Sequence, residues 1–159
     1  MGRRLRLIDR EVISLISAED GRLLMQETRG PQGGAVSDEF RALAAGNRLT
    51  HNHPSGKTLG PEDIDFGLDW GLAETRAAVP GKTFVMEMRT QGMDEADRYL
   101  LKTLSADTRR EQVAVLRQVP GIAQLPAIER NHMLFEQTWN ALSAKRPDVF
   151  KYYTVLTKR

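Results

Sequence analysis

Thr50-His51-Asn52-His53-Pro54-Ser55-Gly56, answered ten residues after His53 by Asp63, is the stretch on which the reading of this chain turns. Arg48-Leu49-Thr50 reads as a short strand running into His51, Pro54-Ser55-Gly56 as a tight loop, and Gly60-Pro61 as the start of a helix. Side chains two apart on a strand point the same way, so His51 and His53 converge while Asn52 faces away. Asp63, in the first turn of the helix that follows, is placed to supply a third donor. Two imidazoles and one carboxylate leave the fourth position of a tetrahedral zinc ion open, as catalytic rather than structural sites do. An ion held in this way brings the pKa of bound water to about 7 and polarises a carbonyl. The chain has three histidines and no cysteine, so no other cluster in the sequence offers comparable ligands.

Outward from that stretch, the neighbouring segments read as alternating strands and helices. Upstream, Glu11 to Ser17 and Arg22 to Thr28 are strand-like, and Ala18-Glu19-Asp20-Gly21 between them carries a hairpin signal. Gly30-Pro31-Gln32-Gly33-Gly34 is a loop. Ser37 is placed to cap a short helix with Phe40, Leu43 and Ala44 on its apolar side, stopped by Gly46-Asn47. Downstream, a helix is expected from about Glu62 to Ala73, its first turn rich in acid (Glu62, Asp63, Asp65), which suits the positive end of the helix dipole. Asp65 rivals Asp63 as a ligand, but two residues on it faces a different side of the helix. Thr75 to Val79 and Lys82 to Arg89 are strands around Pro80-Gly81. The order β-β-α-β-α-β-β is that of an α/β or α+β domain.

The pattern changes after Gly92. Asp94 to Ser105, Thr108 to Gln118 and Pro126 to Ala144 read as three helices, the last with Ile128, His132, Phe135, Trp139 and Leu142 in a stripe at helical spacing. His132 is read there as a structural residue rather than a ligand. The aromatic tail Phe150, Tyr152 and Tyr153 is expected to pack on the body or on a partner. The domain division expected is therefore residues 1–92 for the metal-binding unit and 93–159 for a helical extension.

Composition sets the outer limits. A chain of 159 residues, 40% hydrophobic and 28% charged, is long enough for one domain with a true core and is not of disordered type. The net charge is only +2, and the basic residues are scattered or terminal, which argues against a nucleic-acid binder. No apolar run approaches the roughly 20 residues of a membrane span. The basic N-terminus Met1-Gly2-Arg3-Arg4-Leu5-Arg6 lacks the apolar stretch of a signal peptide, so a cytoplasmic location is expected, with delivery by another route left open.

The residues His51-Asn52-His53-Pro54-Ser55-Gly56 with Pro61-Glu62-Asp63-Ile64 resemble the JAMM (JAB/MPN) metalloprotease family, in particular its prokaryotic and phage-type branch, which includes RadC-like proteins. The resemblance covers about residues 9 to 90. It implies an α/β fold, a mixed, cytidine-deaminase-like sheet with flanking helices, with the helical extension unexplained. It implies Zn2+ bound by His51, His53 and Asp63, and a glutamate from an earlier strand acting on the water. Glu11 is the best match to that glutamate; Glu19 in the turn and Glu27 late on the second strand are weaker ones. It also implies hydrolysis of peptide or isopeptide bonds in a protein or peptide substrate, including ubiquitin-like C-terminal tails. In one place the chain departs from the family, which has a serine three residues before the aspartate to help stabilise the oxyanion, where this chain has Gly60. That departure keeps two other readings open: a catalytically weak binding or assembly module of phage or mobile-element origin, and a RadC-like protein associated with DNA.

Overall fold

The computed structural model describes residues 11–29 and 36–157; the loop expected at residues 30–34 and the basic residues at both ends lie outside them. The described chain runs β1 (Glu11–Ile16), β2 (Leu23–Arg29), α1 (Asp38–Ala44), β3 (Arg48–Asn52), α2 (Pro61–Asp69), β4 (Glu74–Val79), β5 (Lys82–Met88), α3 (Glu95–Arg117), a short 3-10 turn (Ile122–Gln124), α4 (Ala127–Lys145) and β6 (Phe150–Leu156). The strands form one six-stranded mixed sheet in the order β2-β1-β3-β4-β5-β6. β3 and β4 are parallel, and every other neighbouring pair is antiparallel. A parallel pair needs a crossover rather than a hairpin, and α2 provides it. The loop that leads from β3 into that crossover carries the rest of the candidate site.

Register decides which side chains face the helices. Ile13 lies opposite His51, His51 opposite Ala77, Ala77 opposite Phe84, and Met88 opposite Phe150. These side chains therefore share one face of the sheet. Two apolar clusters cover that face. Ile13, Leu15, Leu49 and Leu72 pack with Phe40 and Ala44 of α1, while Ala77, Phe84, Met86 and Phe150 pack with Ile64, Leu68, Leu101, Trp139 and Leu142 from α2, α3 and α4. His51 stands on the same face, next to members of both clusters.

Two expectations change beyond Gly92. The helices expected at Asp94 to Ser105 and Thr108 to Gln118 are one continuous helix of 23 residues, α3. Nothing at Ala106-Asp107 breaks the backbone, and the Thr108 hydroxyl satisfies itself by donating to Leu104 O (2.7 Å) within the helix. The segment 93–159 is also not wholly helical. Phe150–Leu156 forms β6, which pairs with β5 along its whole length and closes one edge of the sheet. Phe150, Trp139, Leu142 and Leu101 belong to the same apolar cluster as Phe84 and Met86, so the core continues across residue 92.

One bond ties this C-terminal layer to the loop between β3 and α2. The buried Trp139 indole N–H donates to Leu59 O (2.8 Å). Trp139→Phe keeps most of the apolar ring and removes the donor, leaving a buried carbonyl without its partner. That change is expected to lower unfolding free energy by about 1–3 kcal/mol, measured as a lower urea midpoint at unchanged slope.

Candidate metal centre

The site is built where β3 runs out. His53 N–H still pairs with Ala78 O (3.0 Å), which keeps His53 extended and its side chain on the same face as His51. His53-Pro54-Ser55-Gly56 then closes a turn through Gly56 N–H to His53 O (3.0 Å). Gly56 takes φ +72°, in the left-handed region that glycine enters without steric cost. Four residues later Gly60 caps α2 with Pro61 as the first helical residue, which brings Asp63 into the first turn.

Asp63 is held from one side. Its Oδ2 accepts the Gly60 N–H at 2.6 Å, and its Oδ1 is directed at His51 Nε2, 3.3 Å away. The glycine at the cap therefore leaves the aspartate's second oxygen for the site. His53 is held in a similar way, with its Nδ1 2.9 Å from Lys57 O. A carbonyl only accepts, so Nδ1 carries the proton and neutral His53 presents a lone pair at Nε2. That nitrogen lies 2.7 Å from His51 Nε2. His51 Nδ1 is buried and has no hydrogen-bond partner among the described residues.

His51, His53 and Asp63, the first and last buried and His53 half-buried, thus form a group whose donor atoms all lie within 4.8 Å of one another, a group that could hold a metal ion. One of its separations already matches a tetrahedral site. Tetrahedral bonds of about 2.0–2.2 Å place neighbouring ligand atoms about 3.3 Å apart. The His51–Asp63 separation is 3.3 Å, while the two imidazole nitrogens at 2.7 Å have to part by about half an ångström to reach that tetrahedral edge. Burial is deep, with His51 2% and Asp63 5% exposed. Burial alone would raise the Asp63 carboxyl, but His51, His53 and the Gly60 N–H outweigh it and hold it below the ordinary carboxylate value. Burial likewise opposes charge on His51, but Asp63 and Glu11 overcome it and raise the imidazole above its usual value.

Glu11 stands at the start of β1 on the same face, its Oε1 3.8 Å from His51 Nε2. Its position is fixed across the strands, because Asn52, facing away from the cluster, accepts the Val12 N–H at 2.6 Å and extends the β1–β3 pairing past its last ladder bond. The other two glutamates considered for that role lie elsewhere. Glu27 binds Ser37 through both the hydroxyl and the N–H and so supports the start of α1, and Glu19 is exposed in the hairpin. Asp65 is exposed on α2 and does not line the cavity, whereas Asp63 does.

Glu11, His51, His53 and Asp63 line an open cavity of ≈ 780 Å³, together with Asn52, Pro54, Ser55, Thr58, Gly60, Glu62, Phe66 and Arg29. Sequence reading misses Arg29. It is the cross-strand partner of Glu11, its guanidinium is 3.7 Å from Glu11 Oε2, and its Nε is buried with no hydrogen-bond partner among the described residues. A finished hairpin register was the only signal that could have found it.

A metal ion competes with protons for the ligand nitrogens. Because the metal-free His51 pKa is raised, affinity for added Zn2+ or Co2+ is expected to be flat at high pH. It should then weaken by up to about tenfold per pH unit once pH falls below that raised value. Titration with either ion between pH 8 and pH 5.5 checks this, and His51→Ala should abolish tight binding across the range. No family profile, curated protein or solved structure matches this chain, so the reading of the pocket stands on its own geometry.

Proposed function

We propose that the pocket is the centre of a zinc-dependent, JAMM-like hydrolase that cleaves peptide or isopeptide bonds. The observation that supports it most directly is the juxtaposition of a three-donor cluster and a carboxylate at one cavity: His51, His53 and Asp63 together, with Glu11 3.8 Å from the His51 nitrogen that would ligate. Zinc, when bound, supplies a Lewis acid and brings water into the pKa range of a usable nucleophile. The chain's own groups do the rest. Glu11 takes the proton from the attacking water and delivers it to the leaving amine, so that one carboxylate serves as base and then as acid. β1 and β3 are paired on both sides, so a protein or peptide tail that adds as an extended strand has its nearest free edge, within the described sheet, at β2, the strand that carries Arg29.

Charge that develops on the substrate's carbonyl oxygen needs a donor, and the loop and β2 are where the cavity offers one. Gly60 has no side chain. Thr58 is buried with its hydroxyl against the Tyr152 hydroxyl at 2.5 Å, whereas the exposed Ser55 Oγ accepts from Lys57 N–H at 3.4 Å and keeps its own O–H to donate. Arg29, cationic and with an Nε–H that has no partner among the described residues, and Ser55 are the groups in this cavity suited to the role. A second reading rests on the same glycine: without a hydroxyl at position 60 the pocket works as a binding or assembly module with little turnover.

Digestion of a mixed peptide and isopeptide library, read by mass spectrometry, separates the two. The hydrolase reading expects cleavage that needs metal and disappears in His53→Ala and Glu11→Gln. Arg29→Gln should lower the rate by about 100-fold, the usual cost of one oxyanion donor. Gly60→Ser fits once Glu62 swings aside, since the backbone there is extended (φ −96°, ψ 178°) and the one close approach of an added Cβ is to the end of the exposed Glu62 side chain, at 2.8 Å. It should raise the rate if the missing hydroxyl limits turnover. Bound metal with no cleavage in either wild type or Gly60→Ser favours the binding module.

A further inference from the structure

The Lys57–Thr58 peptide sits between two histidines. On one side its carbonyl faces His53 Nδ1 at 2.9 Å. On the other its N–H donates to Nδ1 of His132, on α4, at 3.1 Å. A backbone N–H can only donate, so this contact fixes His132 as an acceptor at Nδ1 and puts its proton on Nε2. Nε2 in turn lies 3.5 Å from Glu136 Oε2, one helical turn along α4. The ring is further fixed edge-on against Phe84, centroids 5.8 Å apart.

Glu136, His132, one peptide unit and His53 therefore form a single line of polar groups that ends at a ligand nitrogen. We propose that His132, with Glu136 behind it, is a positioning residue for the metal centre: it orients and polarises His53 through the Lys57–Thr58 peptide. The inference rests on the metal-centre reading of His51, His53 and Asp63 and adds to it a partner 74 residues away from the loop in sequence. Both hydrogen bonds in the line run the same way, from His53 toward the carboxylate, and the Glu136 charge 3.5 Å beyond His132 Nε2 polarises them further, so that His53 becomes a better electron donor at Nε2.

The surroundings are built to keep this line in one arrangement. The Thr58 side chain is held as well, its hydroxyl 2.5 Å from the Tyr152 hydroxyl, which donates to Glu136 Oε1 at 3.3 Å. Lys57 Nζ is anchored to Glu129 at 2.6 Å, one turn before His132 on the same helix. Burial lowers the His132 pKa, with Glu136 and Glu129 working against the shift and Lys57 and Lys82 with it, so the ring stays in the neutral form that accepts from Thr58. A lone core histidine would need no such arrangement, and an apolar residue in the Ile128–Phe135–Trp139 stripe would serve packing better.

The test uses metal alone. Titrate wild type, His132→Leu, His132→Asn and Glu136→Gln with Zn2+, record the visible spectrum of each Co2+ form, and measure urea midpoints in parallel. His132→Leu should weaken metal binding by about 10- to 100-fold, as loss of a ligand's outer partner does. His132→Asn places an amide oxygen near the lost Nδ1 and should recover most of that affinity. Glu136→Gln keeps the shape and removes the charge: its amide oxygen faces His132 while its NH2 donates to the Tyr152 oxygen, whose hydroxyl turns to Thr58, and it should weaken affinity several-fold and shift the Co2+ bands at an unchanged urea midpoint. That last pair of readings is what a purely structural histidine would not give, and it stands even where His132→Leu does not fold. Wild-type protein that binds no metal removes the metal centre and the relay together. Wild-type protein that binds metal, with Glu136→Gln and His132→Asn indistinguishable from it and His132→Leu equally tight or weakened only in step with its stability, overturns the relay alone.

Discussion

An imidazole and a carboxylate, His51 and Asp63, are buried beside the half-buried His53 at the end of β3, and most of the surrounding structure answers to that fact. Polar groups taken out of water cost free energy unless they are paired, and charges cost much more. Asp63 is almost fully enclosed and stays ionised because His51 faces one oxygen and the Gly60 N–H the other. Remove either and an unpaired carboxylate remains in a low-dielectric site. The extended end of β3, the turn at Gly56 and the glycine cap of α2 are the backbone solution that brings these partners within a few ångströms. The site and this corner of the fold share one set of bonds.

The C-terminal layer is part of that solution. β6 extends the sheet beyond β5, and α4 lies over the face that carries His51. From there Trp139 binds Leu59 O, His132 binds Thr58 N–H, and Lys57 is paired with Glu129, so three successive loop residues are each held from the same helix. Loops that carry functional groups are ordinarily the mobile parts of a domain. Here the segment between His53 and Gly60 is pinned on its far side, which fixes where His53 and Asp63 stand relative to His51 on the sheet. No helix among the described residues is long and apolar enough to cross a membrane.

How much of this is legible in the sequence depends on how local each signal is. Strands and helices up to Met88 are marked by chemistry within a few residues: Asp20-Gly21 for the hairpin, Ser37 for the cap, which accepts the Phe40 N–H at 3.2 Å, and Pro80-Gly81 for the last turn. The donor cluster is legible for the same reason, since two ligands alternate on one strand and the third opens the next helix. β6 was harder. Phe150-Lys151-Tyr152-Tyr153-Thr154-Val155 alternates between the core face and the open face, but its partner β5 is more than 60 residues away in sequence, with two long helices between. α3 is one helix where the sequence suggests two, and the side-chain bond that lets Thr108 sit mid-helix does not show in its letter. Arg29 and His132 reach the site only through tertiary geometry, one across a hairpin whose register shifts near Ile16, the other from α4.

The three donors are not prepared in the same way, and the difference bears on what the cluster is for. His53 and Asp63 each have their outer atom committed to a backbone group, Lys57 O and Gly60 N–H, which leaves one inward atom apiece. A buried ion pair that served stability alone would gain more from a carboxylate using both oxygens on its partner and from an imidazole using both nitrogens on strong acceptors. Holding each group from behind and aiming a single atom inward gives up part of that gain. What it secures is a low reorganisation cost when a third body enters between the inward atoms, which is the requirement of a ligand set. His51 lacks such a bond among the described residues and is positioned by packing between Ile13 and Ala77 on the rigid sheet. The fixed point of the cluster is therefore the sheet histidine, and the adjustable pair is carried by the loop and helix that α4 restrains.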